Sequence, residues 1–478
     1  MFKVYEKDYF YDEVLEDTKP RAHYEPFMSR LNSLTMETLV EKHNAAQSSF
    51  VRQGITFTVY GSEGGTERAM PFDFVPIIIT PEKWAFIEKG MKQRVLALNA
   101  FLHDVYNEQK IVKDGIIPKQ LIEENPYYYE QVKNAKLPIP NHIFLAGIDL
   151  IRDQNGDYFV LEDNLRNPSG MSYVFENRHV MRKIYPELFQ DYSIVTLEES
   201  LKRMQEAVYA HGPKNVPNEQ LRAVLLTAGM YNSAYYDHVF LARQLNIPLV
   251  EGRDLVVKDN YVYLKTIRGL KRIDIIYRRI DDDFLDPTVF NPDSMLGVEN
   301  ILEVYKKGNV AILNAVGNGV ADDKAMYYYV PDMIRYYLNE EPIIPNVKTY
   351  LLNDEKTREW VLDHLHELVV KNVGASGGYD MLIGPHSTEE LRAKFAEKIK
   401  EAPHQYIAQP TISLSRAPAF QNERFYPCHV DLRVFVFSGK ETHVLPGGLS
   451  RVALKEGSLV VNSSQGGGGK DTWVLKED

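Results

Sequence analysis

Hydrophobic and polar positions along the chain follow two periods, which predict both helices and strands. A long amphipathic helix is predicted from Thr80 to about Asn107, because apolar residues recur at helical spacing after the start signal Thr80-Pro81. Alternating β-rich residues predict a strand over 54–60. Two further pairs of strand-like runs, each with a turn signal between them, predict hairpins over 144–161 and 433–445. The chain is therefore expected to be a mixed α and β protein.

The middle of the chain has a different pattern, in which short apolar runs alternate with helical stretches. These elements are 223–227, a helix over about 234–245, 247–250 and 273–277. Strand, helix and strand at this spacing predict a small open α/β unit with a parallel sheet. We place boundaries near 195 and 340, which divides the chain into parts 1–195, 196–340 and 341–478.

Composition and charge narrow the class of protein. The 478 residues include 44% hydrophobic and 25% charged positions, which is ordinary globular composition. The net charge of −11 argues against nonspecific nucleic-acid binding, and no apolar run approaches the roughly 18 residues of a membrane helix. A single cysteine, Cys428, excludes an internal disulfide and a multi-cysteine metal site. We expect a cytoplasmic enzyme without a secretory signal.

The segment from Gly147 to Gly170 carries the most informative polar residues. On the hairpin interpretation, Asp149 lies on one strand, and Glu162 and Asn164 share one face of its neighbour. Two carboxylates and an amide oxygen on one face make a hard-oxygen site that suits Mg²⁺. Taken alone, these acidic residues favour the alternative of solvated positions beside a hairpin.

A second segment places Lys371 on an apolar strand before a glycine- and serine-rich loop. Glycines let backbone N–H groups approach phosphate oxygens, and a lysine adds a point charge. An ordinary hairpin with a Gly-rich turn is the alternative at this point. The sequence offers no Walker loop to bind phosphate instead. Its one Gly-Lys pair beside a glycine cluster, Gly469-Lys470, precedes Asp471 where Ser or Thr is required.

The third segment runs from Tyr406 to the C-terminus. It contains Gln409, the tripeptide Asp431-Leu-Arg433, Arg451, and Asn462 ahead of a run of glycines. An arginine on a strand either clamps a phosphate or carboxylate or forms a surface ion pair, and the residues alone favour the surface ion pair.

Together these segments resemble the ATP-grasp superfamily with its blocks in a permuted order. That superfamily runs from a lysine strand and Gly loop through a D-x-R strand and N-x-x-x-G-G to G-x-D-L and E-x-N. Here Gly147-Ile-Asp149, Glu162-Asp-Asn164 and Pro168-Ser-Gly170 come first, and Lys371, Asp431-Leu-Arg433 and Asn462 come later. Cutting after residue 190 and joining the ends restores the order. The chain is similar over nearly its whole length to circularly permuted ATP-grasp proteins of the glutathionylspermidine synthase-like type.

This resemblance implies a circularly permuted ATP-grasp fold of mixed α+β and α/β class, with an inserted open α/β domain. It also implies ATP and Mg²⁺ as cofactors, and roles for particular residues. Those residues are the metal ligands Asp149, Glu162 and Asn164; the nucleotide contacts Lys324, Lys371, Gly374, Ser376, Gly377, Gly378, Tyr379 and Gln409; and the catalytic groups Arg433, Arg451 and Asn462. Lys324 also fits a solvated lysine beside two aspartates. Cys428 stands where a basic residue is expected, so a nearby phosphate or substrate contact is expected to differ.

The activity implied by the resemblance is a ligase that joins a small-molecule or peptide carboxylate to an amine through an acylphosphate, releasing ADP and phosphate. A kinase-like phosphoryl transferase and a noncatalytic ATP-binding scaffold are the alternatives on the same fold. Candidates for contacting the acceptor are Arg178, Asn232, Arg278, Arg279 and the 54–73 segment. No membrane or nucleic-acid partner is expected.

Overall fold

The structure is a computed structural model that describes residues 9–61, 64–374, 380–454, 461 and 467–477, with the side chains of 57–67 excepted. Its strands are β1 (Leu15–Glu16), β2 (Lys19–Pro20), β3 (Thr56–Gly61), β4 (Gly64–Ala69), β5 (Phe72–Ile79), β6 (Leu145–Arg152), β7 (Tyr158–Asn164), β8 (Ala223–Leu226), β9 (Leu249–Val250), β10 (Leu255–Lys258), β11 (Tyr261–Thr266), β12 (Gly269–Ile273), β13 (Ile275–Arg278), β14 (Ala311–Leu313), β15 (Tyr350–Leu351), β16 (Leu368–Asn372), β17 (Met381–Ile383), β18 (Tyr406–Pro410), β19 (Arg416–Gln421), β20 (Arg424–Ser438), β21 (Thr442–Val444), β22 (Leu449–Val452) and β23 (Gly468–Val474). Its α-helices are α1 (Glu25–Ser33), α2 (Met36–Arg52), α3 (Pro81–Val105), α4 (Lys110–Lys113), α5 (Gln120–Glu123), α6 (Met171–Ile184), α7 (Glu198–Ala210), α8 (Tyr235–Gln244), α9 (Ile301–Lys306), α10 (Lys324–Tyr327), α11 (Val330–Leu338), α12 (Glu355–Asp363) and α13 (Glu389–Glu401).

The largest sheet combines strands from both ends of the chain. Its strands follow the order β5-β23-β22-β20-β6-β7, with β19 and β21 paired to β20. The hairpin β6–β7 from the N-terminal part therefore hydrogen-bonds directly to β20 from the C-terminal part. Trp473 on β23 is fully buried in this sheet, which packs the last described strand into the core. This interleaving is what the permuted order of the sequence blocks predicts.

The middle of the chain forms the parallel sheet that its sequence pattern predicts. The strand order is β14-β13-β8-β9, and every pairing in it is parallel. Strands β8, β13 and β14 are buried, as expected for short apolar strands covered on both faces. An antiparallel β10–β11–β12 meander follows β9.

A smaller antiparallel sheet, β15-β18-β16-β17, carries the strand with Lys371. Its apolar residues pack with those of α12 and α13 in a hydrophobic cluster of their own, which includes Leu352, Val361, Val370 and Ile399. This small sheet is therefore packed separately from the large one, and the two approach each other at the candidate site.

The predicted local elements are confirmed, with small shifts at their ends. Helix α3 begins at Pro81 and ends at Val105, close to the expected limits. Both predicted hairpins form, although β20 is much longer than expected because it also pairs with β19. The part boundaries near 195 and 340 stay predictions. Within the described ranges, no helix combines the length and apolarity needed to cross a membrane.

Candidate active site

Asp149, Glu162 and Asn164 lie close together on the paired strands β6 and β7. Asp149 is directly opposite Glu162, and Gly147 is opposite Asn164. Glu162 and Asn164 lie two residues apart and share a face, although the register shifts between Asp149 and Leu150. The Asp149 side chain is only 2% exposed, whereas that of Glu162 is 27% exposed. The hairpin thus presents one buried and one accessible carboxylate.

Two arginines from neighbouring strands bind Asp149. Arg433 on β20 is opposite Asp149 in the sheet and donates from Nε to Oδ1 at 2.6 Å and from Nη2 to Oδ2 at 2.8 Å. Arg451 on β22 donates from Nη2 to Asp149 Oδ2 at 2.7 Å and from Nε to Asp431 Oδ1 at 2.8 Å. We call Asp149, Asp431, Arg433 and Arg451 the arginine network.

Electrostatics keep the central carboxylate of this network charged. Burial on its own would raise the pKa of Asp149, but Arg433 and Arg451 outweigh that effect and lower it to about 2. Burial also raises the pKa of Asp431, and Arg451 opposes that rise. Asp149 is therefore a buried anion between two guanidinium groups.

Lys371 faces this network from the small sheet. Its Nζ donates to Gln409 Oε1 on the adjacent strand β18 at 2.8 Å, and Gln409 Nε2 donates to Thr349 Oγ1 at 3.0 Å. Burial lowers the pKa of Lys371 to about 8, with Glu162 opposing this shift and Lys324 adding to it. Lys371 is thus a half-buried cation, and the hydrogen-bond acceptor of its Nζ is a neutral amide.

Lys324 joins the two sides of the site. It begins α10, where Asp323 caps the helix by accepting from the N–H groups of Ala325 and Met326. Its Nζ lies 3.2 Å from Glu162 Oε1 on β7. Glu162, Lys324, Lys371 and Gln409, together called the lysine pocket, line a cavity of about 10 Å³. That volume holds about one water molecule.

Four of the predicted nucleotide contacts and one of the predicted catalytic groups lie outside the described residues. Ser376, Gly377, Gly378, Tyr379 and Asn462 are in this group. Gly374 is described: its N–H donates to Asn372 Oδ1 at 3.0 Å, and its carbonyl accepts from the Tyr127 hydroxyl at 3.3 Å.

The residues expected to bind Mg²⁺ fit that ion unequally. Glu162 is accessible, although it pairs with Lys324. The amide group of Asn164 is not fully held by the surrounding protein, because its buried Nδ2, a hydrogen-bond donor that cannot itself bind a cation, has no partner among the described residues. Asp149 already accepts three hydrogen bonds from guanidinium groups, which leaves about one of the four lone-pair directions of a carboxylate. No group of three or more His, Cys, Asp or Glu suited to a metal occurs in the described part. Glu162 and Asn164 therefore fit an ion completed by phosphate oxygens, with Asp149 as the weakest ligand.

Several residues around the site have no motif of their own in the sequence. Arg166 follows Asn164 by two residues and pairs with Asp322, with Nε 2.5 Å from Oδ2. Asn314 Nδ2 donates to the carbonyl of Leu145 on β6 and to that of Leu165, the residue after β7. These bonds tie the end of the parallel sheet to the β6–β7 hairpin, which we call the metal hairpin after its predicted ligands. The charge of Arg166 beside the Glu162-Asp-Asn164 motif indicates a residue near the site. The sequence around Asn314 contains no such indication.

Two of the arginines considered for the acceptor are structural. Arg178 is buried, with Nε 2.8 Å from Asp471 Oδ2, and Arg278 is buried, with Nη2 2.9 Å from Asp282 Oδ1. Arg279 donates to the carbonyl of Pro168 at 2.8 Å. The donors of Arg178 and Arg278 serve the fold, so they are not available at a surface for substrate, whereas the buried Nε of Arg279 has no hydrogen-bond partner among the described residues.

Comparison with known families agrees with this architecture. Residues 76–453 match the family described as circularly permuted ATP-grasp type 2. The match covers well over half of the sequence, and the chain belongs to this family. The mixed α/β architecture with several sheets is consistent with the fold of this family.

Relatives span most of the chain. An uncharacterized protein of Synechocystis sp. is 48% identical over 99% of this chain and 98% of its own length. A Mycobacterium tuberculosis protein, also uncharacterized, is 45% identical over 95% of this chain and 82% of its own. A Frankia alni protein provisionally named glutamate–cysteine ligase 2-3 is 41% identical over 97% of this chain, but only 54% of that protein is covered. The ligase name therefore belongs to a protein of which this chain matches about half.

A solved structure supports the fold. The glutathione synthetase-like effector GSS30 of Globodera pallida, in its apo form, superposes with a TM-score of 0.60 over 92% of this chain and 98% of its own. The two sequences are 14% identical, so this similarity concerns the fold alone.

Proposed function

We propose that this chain is an ATP-dependent ligase that joins a carboxylate to an amine through an acylphosphate. The observation that carries the proposal is the meeting of the lysine pocket with the arginine network. Glu162 lies on the strand next to Asp149 and also contacts Lys324, so phosphate-binding cations and carboxylates border one site. A site of cations and metal-binding oxygens without a protein nucleophile suits phosphoryl transfer between bound substrates.

In the first step, a carboxylate oxygen of one substrate attacks the γ-phosphorus of ATP. The bond from that phosphorus to the β,γ-bridging oxygen breaks, and ADP leaves with the bonding electrons. In the second step, the amine nitrogen of the other substrate attacks the acyl carbon. The acyl–oxygen bond to phosphate breaks, an amide forms, and the amine loses a proton to solvent or to the departing phosphate.

The residues of this chain would position substrates and balance charge. Lys371 and Lys324 would neutralise phosphate oxygens, and Gln409 would hold Lys371 in place from β18. Mg²⁺ on Glu162 and Asn164, with Asp149 as a third ligand, would supply charge neutralisation at the phosphates. Arg433 would present its remaining donor capacity to the transferred phosphoryl group and the acyl oxygen, with its guanidinium fixed by Asp149. Arg451 would keep Asp149 ionised, and Asn462 and the 376–379 residues would complete the phosphate contacts.

We propose amino acids or short peptides as the first substrates to test. The name of the Frankia alni relative gives it glutamate and cysteine as substrates, a carboxylate and an amine from amino acids. Only about half of that protein matches this chain, so the named substrates enter here as a substrate class rather than as a pair.

Product analysis of the nucleotide tests this proposal. The full chain would be incubated with Mg²⁺, ATP and a pool of amino acids, short peptides and polyamines. Glu162→Gln removes the accessible carboxylate of the site, and Glu199→Gln on the exposed face of α7 serves as the matched control. We expect ADP and phosphate only with the pool, loss of turnover in Glu162→Gln, and full turnover in Glu199→Gln.

Other products would overturn the proposal in different ways. AMP and pyrophosphate would reject the acylphosphate route. ADP formed with a carboxylate or alcohol acceptor but without any amine would identify a kinase. ATP binding without turnover across the whole pool would favour a scaffold.

A further inference from the structure

One aromatic side chain from outside the recognised motifs contacts the beginning of the Gly-rich segment. Tyr127 lies in the connection between α5 and Glu130, and its N–H is held by Asn125 Oδ1 at 2.9 Å. Its hydroxyl donates to the carbonyl oxygen of Gly374 at 3.3 Å. Gly374 lies three residues after Lys371, so this contact fixes the backbone immediately after the lysine strand.

The Tyr127 ring is supported from the metal-binding side of the site. The guanidinium carbon of Arg166 lies 4.4 Å from the ring centroid, a cation–π distance. Arg166 is itself held by Asp322, whose other carboxylate oxygen accepts from the Leu165 N–H at 2.6 Å. The stack therefore extends from the segment after Asn164 to Gly374.

Close packing shows that this arrangement leaves little room for change. A Cβ on Gly319 would lie 2.8 Å from Tyr127 Cβ and 3.1 Å from Arg166 Cδ. Gly319 thus allows both side chains to pack against one turn. The same region makes a second backbone contact to the lysine strand, since the Lys324 N–H donates to the Val373 carbonyl at 3.3 Å.

These contacts link the two sheets that border the site. The contacts begin at the Glu162–Arg166 segment, at the end of β7 in the large sheet. They end at Val373 and Gly374, which directly follow β16 of the small sheet. The small sheet has a core of its own, so such contacts determine where its lysine strand lies relative to the metal hairpin.

We propose that Tyr127 is a positioning residue for ATP: with Arg166 behind its ring, it fixes Gly374 so that the phosphates meet the lysine strand and the metal hairpin together. This inference rests on the proposed function, since it requires that ATP binds at this site. Tyr127 acts on the nucleotide through Gly374 and is not itself a catalytic residue.

The test is the affinity of the full-length protein for ATP with Mg²⁺, measured by calorimetry beside the unfolding midpoint without nucleotide. Tyr127→Phe keeps the ring on Arg166 and removes only the hydroxyl. The matched control is Tyr128→Phe, because that neighbouring hydroxyl accepts from Gln109 and its ring stacks on Tyr106, away from Gly374. We expect Tyr127→Phe to weaken ATP binding about two- to tenfold with an unchanged midpoint, and Tyr128→Phe to bind as the wild type.

A second pair of variants separates positioning from folding. Arg166→Lys keeps the charge beside Asp322 but loses the planar stack on Tyr127, so ATP affinity should fall in the same direction. The double variant Tyr127→Phe/Arg166→Lys should bind ATP more weakly than the tighter-binding single variant. Its loss of binding free energy should be smaller than the sum of the two single losses, because both substitutions act on one contact.

The outcomes separate this inference from the proposed function. Wild-type affinity in Tyr127→Phe would overturn the positioning role while leaving the ligase proposal intact. A lower unfolding midpoint with unchanged ATP affinity would also overturn it, because the role would then be structural. Absence of ATP binding by the wild type would overturn both.

Discussion

The two sides of the site differ in how their charges are balanced. In the arginine network, Arg433 and Arg451 are paired with the buried carboxylates Asp149 and Asp431. In the lysine pocket, half-buried Lys371 is hydrogen-bonded to the neutral amide of Gln409, and the charges of Glu162 and Lys324 act on it in opposite directions. The charges of the arginine network are balanced within the protein, whereas a bound anion would stabilise the lysine pocket.

This difference assigns distinct tasks to the two sheets. Buried and paired charges rigidify a region, and separating one partner is costly. A half-buried cation that forms no ion pair with a carboxylate among the described residues is poised for a phosphate instead. We infer that the large sheet sets the geometry of the site and that the small sheet supplies affinity for the nucleotide.

The largest expected effect comes from breaking the arginine network. Asp149→Asn leaves two buried guanidinium groups without their shared anion and should lower the free energy of unfolding by about 3–5 kcal/mol. Urea unfolding measures this. Asp332→Asn is the control, because its pair with Arg335 is exposed, and its loss should cost less than about 1 kcal/mol. Equal effects in the two variants would contradict the account of the network.

A smaller loss is expected at Gly147, which lies beside the network on β6. A Cβ there would lie 2.9 Å from Pro168 Cβ and 3.3 Å from Arg433 Cδ. Gly147→Ala should therefore displace the Pro168 segment and destabilise the protein by about 1–3 kcal/mol. Urea unfolding measures this loss. An unchanged free energy of unfolding would mean that the Pro168 segment moves aside without an energetic penalty.

Lys371→Met should produce the opposite pattern. The side chain keeps its volume and loses a half-buried charge that has no ion pair within the described ranges, so we expect stability to be unchanged or slightly higher. ATP affinity should fall about tenfold or more, as expected for loss of a charge-assisted contact. Calorimetry and urea unfolding of one preparation give both quantities. A large loss of stability with normal ATP affinity would reverse the assignment of tasks.

The smallest effect is a pH dependence of binding. Lys371 has a pKa of about 8 in the free protein, so it is protonated below that pH and increasingly neutral above it. Bound phosphate favours the protonated form, and ATP affinity should therefore decline severalfold as the pH rises from 8 to 9. Lys371→Arg stays charged throughout, so its affinity should be flat over that range. A decline of the same size in Lys371→Arg would place the titration elsewhere.

Local elements of the site could be predicted from sequence because short-range physics determines them. The strand-like runs around Asp149 and Glu162 and the turn between them specify the hairpin β6–β7. The apolar run before Lys371 specifies its strand. Even the parallel sheet follows from short buried strands separated by a helix.

The pairing between distant segments could not be worked out from local patterns. Asp149 and Arg433 are 284 positions apart, and only the resemblance of block order brought them to one site. Nothing in the sequence indicates that Arg433 and Arg451 use their donors on Asp149, because rotamers and burial decide that. Tyr127 could not be predicted for a related reason: it stands in a tyrosine-rich connection with no motif, and the role proposed for it depends on one contact with Gly374.

On the proposed route, a substrate carboxylate takes the γ-phosphoryl group of ATP, and an amine then displaces phosphate from the acyl carbon. The most direct test uses amino acids and short peptides whose carboxylates carry heavy oxygen, with unlabelled ATP and Mg²⁺. Mass spectrometry of the released phosphate should show one labelled oxygen per molecule, because the carboxylate oxygen that attacks phosphorus leaves with it. Phosphate released without label in the presence of amide product would contradict the acylphosphate route.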